Sequence, residues 1–325
     1  MAELSVDFAT GDTLSSEWDA SLLADFCAVL TARNAERVEA ASAHQHGLFL
    51  TPSAVELVFT ICAQLRLPTE VKYAALELFD RFMCAHVSEW YAKVTAQCAE
   101  AASVWEATEA KVSRQMALRI LSCAQLASKL HSYSRALSVK RACEFLESVG
   151  QRYTQSAVRQ SELRVLETLD FRLCAATLDT PLAYMETLLK IMVGRGAVPP
   201  ASARGHWQCA LSVLDLALLN RERLYARLVE RVGASSAHPH APPTPPAARA
   251  QPTDGGDRRR SLRGALEADY LLLAAAVLCA AGRCLHPPAV AKQREASVCA
   301  ASRLPPADVL DFTQAIVDEV MRDQD

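Results

Sequence analysis

The chain has 325 residues, 51% of them hydrophobic, and a formal net charge of −3. This length is enough for roughly two domains with sizeable cores. The near-neutral charge gives no strong field for nucleic acid or an anionic membrane, so we expect direct binding to neither. The longest apolar run, Tyr270 to Gly282, is shorter than the roughly 20 residues that span a bilayer.

Eleven cysteines are scattered along the chain without a CxxC pair. The first residues, MAELSVDF, lack the basic and apolar regions of a signal peptide. We therefore expect an intracellular protein with reduced thiols. No helix N-terminus or basic cluster flanks any one thiol in a way that predicts reactivity.

Helical spacing of apolar residues runs through nearly the whole chain, and no alternating strand pattern stands out, which predicts an all-α fold. In the N-terminal segment, residues 1–47, Ser16 and Asp19 can cap a helix. The predicted apolar face of that helix consists of Trp18, Leu22, Phe26, Val29 and Leu30.

Five further helices are predicted over the next 120 residues or so. Thr51, Thr69, Ser138 and Thr154 are suitable N-caps for four of them. The fifth, MALRILSCAQLASKL, is apolar nearly all round, which is typical of a central, fully buried helix.

A second helical block follows TLDTP, at residues 181–325. Residues 233–262 interrupt it with a stretch rich in proline, alanine and glycine, which predicts a disordered loop inserted in this block. Two candidate phosphorylation sites lie there: Thr244 before a proline, and Ser261 after a run of arginines.

Four short motifs occur in a fixed order: DRFM, QLASKL, SELRVLETLDFRL and a TP pair. Together they resemble the cyclin box of the cyclin family, here at residues 48–180. The resemblance implies two cyclin-like helical folds, the second of them degenerate. Cyclins have a short link between DRF and ASK, whereas 43 residues, Cys84 to Leu126, lie between these motifs here. We assign an insertion to about 84–112; this feature and the short second half resemble a meiotic cyclin-like member of the family.

The resemblance implies that Lys129 and Glu162 hydrogen-bond the regulatory helix of a kinase and the loop before it. It also implies an apolar pocket for that helix, formed by Leu126, Leu166, Phe171 and Leu173. The residues themselves support a Lys129–Glu162 pair, because Glu162 lies on an apolar helix face and needs a partner. The alternative is that Lys129 only complements its helix dipole, while Glu162 bonds Arg159 or Arg164 in solvent.

Other features argue against further activities. Where the family has the apolar patch that docks substrates, this chain has LTPSA, which disfavours substrate docking. No nucleotide-binding, hydrolase or metalloprotease motif occurs, so we predict no enzyme and no cofactor. Cys279, Cys284 and His286 are wrongly spaced for zinc, and we predict no metal site.

These expectations combine into a cyclin-like regulator of meiotic recombination that promotes crossover maturation. It would bind or recruit a cyclin-dependent kinase, of the cyclin-dependent kinase 2 type, and meet meiotic recombination proteins. The resemblance places it in the nucleus on meiotic chromosomes and leaves a cytoplasmic pool open. The alternative function is a kinase-independent helical scaffold for recombination or repair complexes. The insertion, with Trp90, Tyr91 and Trp105, either packs on its own domain or binds a partner.

Overall fold

The computed structural model describes residues 20–41, 47–97, 112–131, 136–173, 179–235 and 255–322. Within these ranges the chain is helical and contains no strand, which confirms the all-α prediction. The helices of ten or more residues are α1 (Ala20–Ala41), α2 (Pro52–Gln64), α3 (Thr69–Gln97), α4 (Met116–His131), α5 (Val139–Ser148), α6 (Gln155–Thr168), α7 (Pro181–Gly194), α8 (Pro200–Leu219), α9 (Arg221–Ser235), α10 (Gly255–Ala268), α11 (Tyr270–Leu285), α12 (Pro288–Ser302) and α13 (Pro306–Arg322).

The chain divides into two compact units. The first unit is Gln45–Thr180, and the second combines Met1–His44 with Pro181–Asp325. The N-terminal segment, predicted to stand apart from both folds, thus belongs with the C-terminal half, and its helix α1 packs on α7 and α10.

Helix α4 is the centre of the first unit and packs against α2, α3, α5 and α6. All its side chains from Ala117 to Ser128 are buried except that of Arg119, which confirms the predicted central helix. The predicted caps Thr51, Ser138 and Thr154 accept backbone hydrogen bonds at the starts of α2, α5 and α6. These caps fix where the helices begin, and so how α6 meets α4.

Helix α3 continues without a break to Gln97, so the first part of the predicted insertion, from Cys84 onward, extends this helix. A column of rings one turn apart supports this extension: Phe82 stacks on His86 at 4.9 Å, and His86 meets Trp90 edge-on at 6.2 Å. Glu89, on the same extension, pairs with Arg164 of α6 at 3.0 Å. The extension therefore packs on its own unit; residues 98–111, with Trp105, lie outside the described residues.

Helix α11 is the core of the second unit and is buried at every residue from Tyr270 to Gly282. It packs against α7, α8, α12 and α13. Among the described residues, no single helix is long and apolar enough to cross a bilayer. Arg259–Ala268 and Tyr270–Leu285 meet that requirement only as a pair, and they are bent by 68°.

The predicted apolar face of α1 is confirmed at Leu30, which is buried, and wrong at Leu22 and Val29, which are exposed. The other buried residues of the helix are Leu23, Asn34 and Ala41. Polar contacts explain the rotation: the Asn34 amide donates to Asp269 at 2.8 Å, and its oxygen accepts from the Leu271 backbone N–H at 3.1 Å. The hydrogen bonds of the buried Asn34 amide to the start of α11 stabilise the fold by more than the exposure of two aliphatic side chains destabilises it. The predicted caps Ser16 and Asp19 lie outside the described residues.

The predicted disordered loop, 233–262, is too long at both ends. Helix α9 continues to Ser235, and α10 begins at Gly255 and includes Ser261. Tertiary packing stabilises α10 despite its polar sequence, because it lies against α1 and its buried Glu267 pairs with Arg221 of α9 at 3.0 Å. The remainder, 236–254 with Thr244, lies outside the described residues.

Candidate functional site

Lys129 lies in the last turn of α4, and the preceding residue fixes the chain there. The Ser128 hydroxyl donates to the Gln125 carbonyl at 2.8 Å and accepts from the Leu137 N–H at 2.9 Å. A buried hydroxyl with both roles filled holds the end of the helix in one conformation. Lys129 thus projects from a rigid base into a partly exposed position.

Glu162 lies on the face of α6 that packs against α4 and is largely buried. Its carboxylate forms an ion pair with the Lys129 ammonium, so the structure brings the two predicted residues together. The alternative partners are engaged elsewhere: Arg164 pairs with Glu89 at 3.0 Å, and Arg159 bonds Gln155 at 3.4 Å.

A polar seam that the sequence analysis missed joins α4 to α6 one residue before Glu162. The Ser161 hydroxyl oxygen lies 2.8 Å from that of Ser122 and accepts from the Arg119 guanidinium at 2.9 Å. Two serines on otherwise apolar helix faces were the signal that could have revealed it. The seam fixes how α6 lies on α4, and so positions Glu162.

The four apolar residues predicted to form a pocket differ sharply in exposure. Leu126 and Leu173 are buried in the core of the first unit and Leu166 is half-buried, whereas Phe171 is 65% exposed. The turn after α6 folds Leu173 inward, while Phe171 faces solvent. Two exposed leucines that were not predicted, Leu130 and Leu163, adjoin the charged pair in sequence.

The turn that carries Phe171 has an unusual backbone. Asp170 and Phe171 have φ values of 49° and 58°, and the Phe171 N–H donates to the Leu166 carbonyl at 2.9 Å. Aspartate tolerates this left-handed region, but a phenylalanine there is a strained outlier. Arg81, from the DRF motif on α3, donates to the Arg172 carbonyl at 3.1 Å and so holds the segment in place.

Asp80 of the same motif has a structural role. Its carboxylate accepts from the Gly47 N–H at 2.7 Å and from the Phe49 N–H at 3.0 Å, which ties the start of the first unit to α3. Gly47 has a φ of 71°, a conformation that glycine adopts without strain.

The remaining predicted residues that the structure describes belong to the second unit. Ser261 is exposed on α10 in the second unit. Cys279 is buried inside α11, whereas Cys284 is exposed at its end. In the ranges that the structure describes, no group of three or more histidine, cysteine or acidic side chains is arranged to hold a metal ion.

Residues 45–174 match the profile of the cyclin N-terminal domain. The human protein named Cyclin N-terminal domain-containing protein 1 is 34% identical over 227 residues, which cover 69% of this chain and 66% of the human one. Its mouse counterpart is also 34% identical, over 204 residues that cover 62% of this chain and 59% of the mouse one. No solved structure matches the chain.

Proposed function

This chain belongs to the cyclin family, and we propose that it is a regulatory protein that binds a cyclin-dependent kinase through the face around Lys129 and Glu162. One observation carries the proposal: a charged pair, built on a rigid helix end, reaches the surface through Lys129, and each of its two residues is followed in the chain by an exposed leucine. We define the kinase face as this pair together with three exposed apolar residues of the same unit: Leu130, Leu163 and Phe171.

The pair has hydrogen-bonding capacity to spare. A lysine ammonium has three hydrogen-bond donors, and among the described residues that of Lys129 hydrogen-bonds only Glu162. The remaining donors can bind the carbonyl groups at a helix end or in a loop of the partner. Apolar anchors would supply affinity, while the charged pair would fix the register of a bound helix.

The regulatory consequence follows from how kinases work. A kinase is active only when its regulatory helix is positioned so that the helix glutamate pairs with the active-site lysine. A partner that holds this helix therefore switches the kinase on and needs no catalytic group of its own. We propose this non-enzymatic role here, with a kinase of the cyclin-dependent kinase 2 type as the partner.

The test is co-purification of the full chain with candidate cyclin-dependent kinases. The double variant Lys129→Glu plus Glu162→Lys keeps the pair but reverses its direction, so it should stay folded and lose the kinase. The matched control is Lys140→Glu plus Glu144→Lys, which reverses an exposed pair on α5 whose charged atoms are 3.9 Å apart. Equal kinase binding by both reversed variants would refute this interface.

A second function, the kinase-independent scaffold, is favoured by a different observation. Leu126 and Leu173 are buried, so the first unit offers less apolar surface to a kinase helix than the predicted pocket would. If no cyclin-dependent kinase co-purifies with the unaltered chain, the charged pair serves the fold alone. The cyclin fold would then be a platform for recombination or repair proteins.

We further propose that this regulator acts in meiotic recombination, on chromosomes in the nucleus, and promotes crossover maturation. The support is the resemblance noted above, in particular the long segment between the DRF and ASK motifs. The double variant Lys129→Glu plus Glu162→Lys, expressed in place of the normal chain, should lower the number of mature crossovers. Imaging of the tagged chain in meiotic cells should find it on chromosomes; an exclusively cytoplasmic signal would contradict this proposal.

A further inference from the structure

Four serines of the chain have an arginine three residues before them: Ser122, Ser138, Ser261 and Ser297. A protein kinase with an acidic substrate groove selects such serines, because its carboxylates form charge-assisted hydrogen bonds with the guanidinium group. The sequence pattern alone gives all four serines the same standing as candidate phosphorylation sites. Their surroundings in the structure separate them.

Three of these serines are held by the fold. Ser122 is fully buried in the central helix α4. Ser297 is half-buried on α12, and its arginine, Arg294, is itself buried and hydrogen-bonded to two histidines. Ser138 is exposed, but its hydroxyl caps the start of α5. A kinase would therefore have to break core packing or a helix cap to take up any of the three.

Ser261 lies in the first half of α10, where the side chains are exposed. The two residues directly before it are exposed arginines. Close packing begins later in the helix: a Cβ on Gly264 would lie 3.4 Å from a backbone oxygen of α1, and the buried Glu267 pairs with Arg221 at 3.0 Å. A helix end with few buried contacts unwinds locally at a low cost in free energy. Ser261 can thus enter a kinase groove in extended form while the second half of α10 stays in place.

We propose that Ser261 is phosphorylated by an arginine-directed protein kinase. Three arginines directly precede this serine, and an apolar residue, Leu262, follows it. The arginines pair with the acidic groove of the enzyme and so place the hydroxyl at its active site. The proposal does not depend on the kinase face, since that face lies in the first unit and Ser261 lies in the second.

The reaction needs ATP as the phosphoryl donor and no oxidant or reductant. The Ser261 hydroxyl oxygen attacks the γ-phosphorus of ATP, and the bond from that phosphorus to the oxygen bridging it to the β-phosphorus breaks. ADP leaves with the bonding electron pair. The hydroxyl proton passes to the catalytic carboxylate of the kinase and then to water.

The phosphate changes the charge of the surface rather than the fold. Residues 257–263 include four arginines and one aspartate, so this segment has a net charge of +3. A phosphoserine carries about −2 and lowers that charge to about +1. Because Ser261 is exposed, we expect the thermal midpoint of the second unit to shift by less than ~2 °C. Phosphorylation thus alters which charged molecules this surface attracts.

The experiment incubates the purified full chain with Mg-ATP and an arginine-directed kinase, the catalytic subunit of cyclic AMP-dependent protein kinase. Peptide mass spectrometry follows the phosphate at each serine over time. We expect Ser261 to be modified at least ~10-fold faster than Ser138 and Ser297, since only Ser261 combines exposure with an unanchored segment. The proposal is overturned if Ser261 stays unmodified, or if it reacts no faster than Ser297.

The role of the arginines is tested by a pair of double variants. Arg258→Gln plus Arg259→Gln should slow the phosphorylation of Ser261 at least ~10-fold, because two charge-assisted contacts with the enzyme are lost. The matched control, Arg195→Gln plus Arg204→Gln, removes two exposed arginines elsewhere in the second unit and should leave the rate unchanged. Equal rates for the two double variants would also overturn the proposal.

Hydrogen exchange without any kinase gives an independent readout of local unwinding. The backbone amides of residues 259–262 should exchange at least ~10-fold faster than those of residues 265–268, which lie in the packed half of α10. If both halves exchange equally slowly, α10 does not release Ser261, and the proposal fails.

Discussion

Two ion pairs of similar make-up lie one in each unit, and their cations differ in how many side chains they join. Glu162 in the first unit and Glu295 in the second are each 10% exposed, and their cations, Lys129 and Arg283, are 44% and 27% exposed. Arg283 donates to Glu295 at 2.5 Å and to Gln314 at 2.8 Å, so it joins two side chains of its own unit. Among the described residues, Lys129 hydrogen-bonds one side chain, that of Glu162. The number of side chains that the cation joins, rather than burial of the carboxylate, therefore separates the pair that we propose binds a partner from the pair that ties helices of the fold together.

The second unit also holds charge in its interior without a carboxylate. Arg294 is buried and donates to His206 at 3.1 Å and to His286. Its described hydrogen-bond partners are thus two histidines that must accept, and so must be neutral. Burial and the Arg294 guanidinium lower the pKa of His206 to about 4 and lower that of His286 as well.

The largest expected effect is therefore loss of the second unit in acid. His206 titrates near 6.5 when unfolded and near 4 when folded, so between these values the unfolded chain binds more protons. Stability is fully present above pH 6.5 and falls by up to about 3 kcal/mol as the pH drops towards 4. Hydrogen exchange of α11 amides at several pH values measures this loss.

The variant His206→Gln should flatten that pH dependence, because it removes the titrating group and keeps a polar side chain. His86→Gln is the matched control: burial lowers the pKa of His86 to about 4 in the first unit. This control should alter exchange in α4 and leave α11 unchanged. If His206→Gln leaves the pH dependence of hydrogen exchange in α11 unchanged, the contact of Arg294 with the histidines does not cause the loss of stability in acid.

The next prediction separates the two ion pairs directly. Arg283→Met should destabilise the second unit by about 2–3 kcal/mol, since it leaves Glu295 and Gln314 without their donor. Lys129→Met should cost the first unit only about 1 kcal/mol, because a half-exposed pair lets water replace the lysine. Urea unfolding followed by circular dichroism measures the two losses of stability. Equal losses would contradict the distinction between the Arg283–Glu295 pair and the Lys129–Glu162 pair.

Sequence patterns predicted the features that depend on local chemistry. The caps at Thr51, Ser138 and Thr154 depend on one side chain and the next turn, and the burial of α4 follows from its lack of polar residues. The pairing of Lys129 with Glu162 followed from a charge on an apolar face together with the family resemblance.

The features that sequence analysis missed depend on residues far apart in the chain. The orientation of α1 is set by Asn34, whose partners lie 235 and 237 residues away. The exposure of Phe171 and the burial of Leu173 come from a turn with left-handed backbone angles, which its sequence does not predict. Likewise the hydrogen bond between the His206 ring and the Leu278 carbonyl, 3.1 Å long, arises only where α8 and α11 pack together.

A smaller loss of stability is expected at the polar seam that positions Glu162 for its pair with Lys129. Ser161→Ala removes the acceptor for Arg119 and the partner of Ser122, both in a buried region, and should cost about 1–2 kcal/mol. Because the seam orients α6, kinase binding should weaken along with stability. Ser148→Ala is the control, since its hydroxyl bonds only the Phe145 carbonyl within α5. If Ser161→Ala lowers stability but leaves binding intact, the seam does not position Glu162.

The smallest effect has the opposite sign for stability and function. Phe171→Gly should stabilise the first unit by up to about 1 kcal/mol, because glycine adopts a φ of 58° without strain and the lost side chain is mostly exposed. The same change removes an exposed aromatic anchor and should weaken kinase binding. Asp170→Gly, at a φ of 49°, is the matched control: aspartate tolerates this region, so the gain should be smaller and binding should hold. Thermal unfolding and kinase titration of both variants measure the two effects. A Phe171→Gly chain that binds as well as the unaltered one would mean that the strain at this turn serves the fold and not the partner.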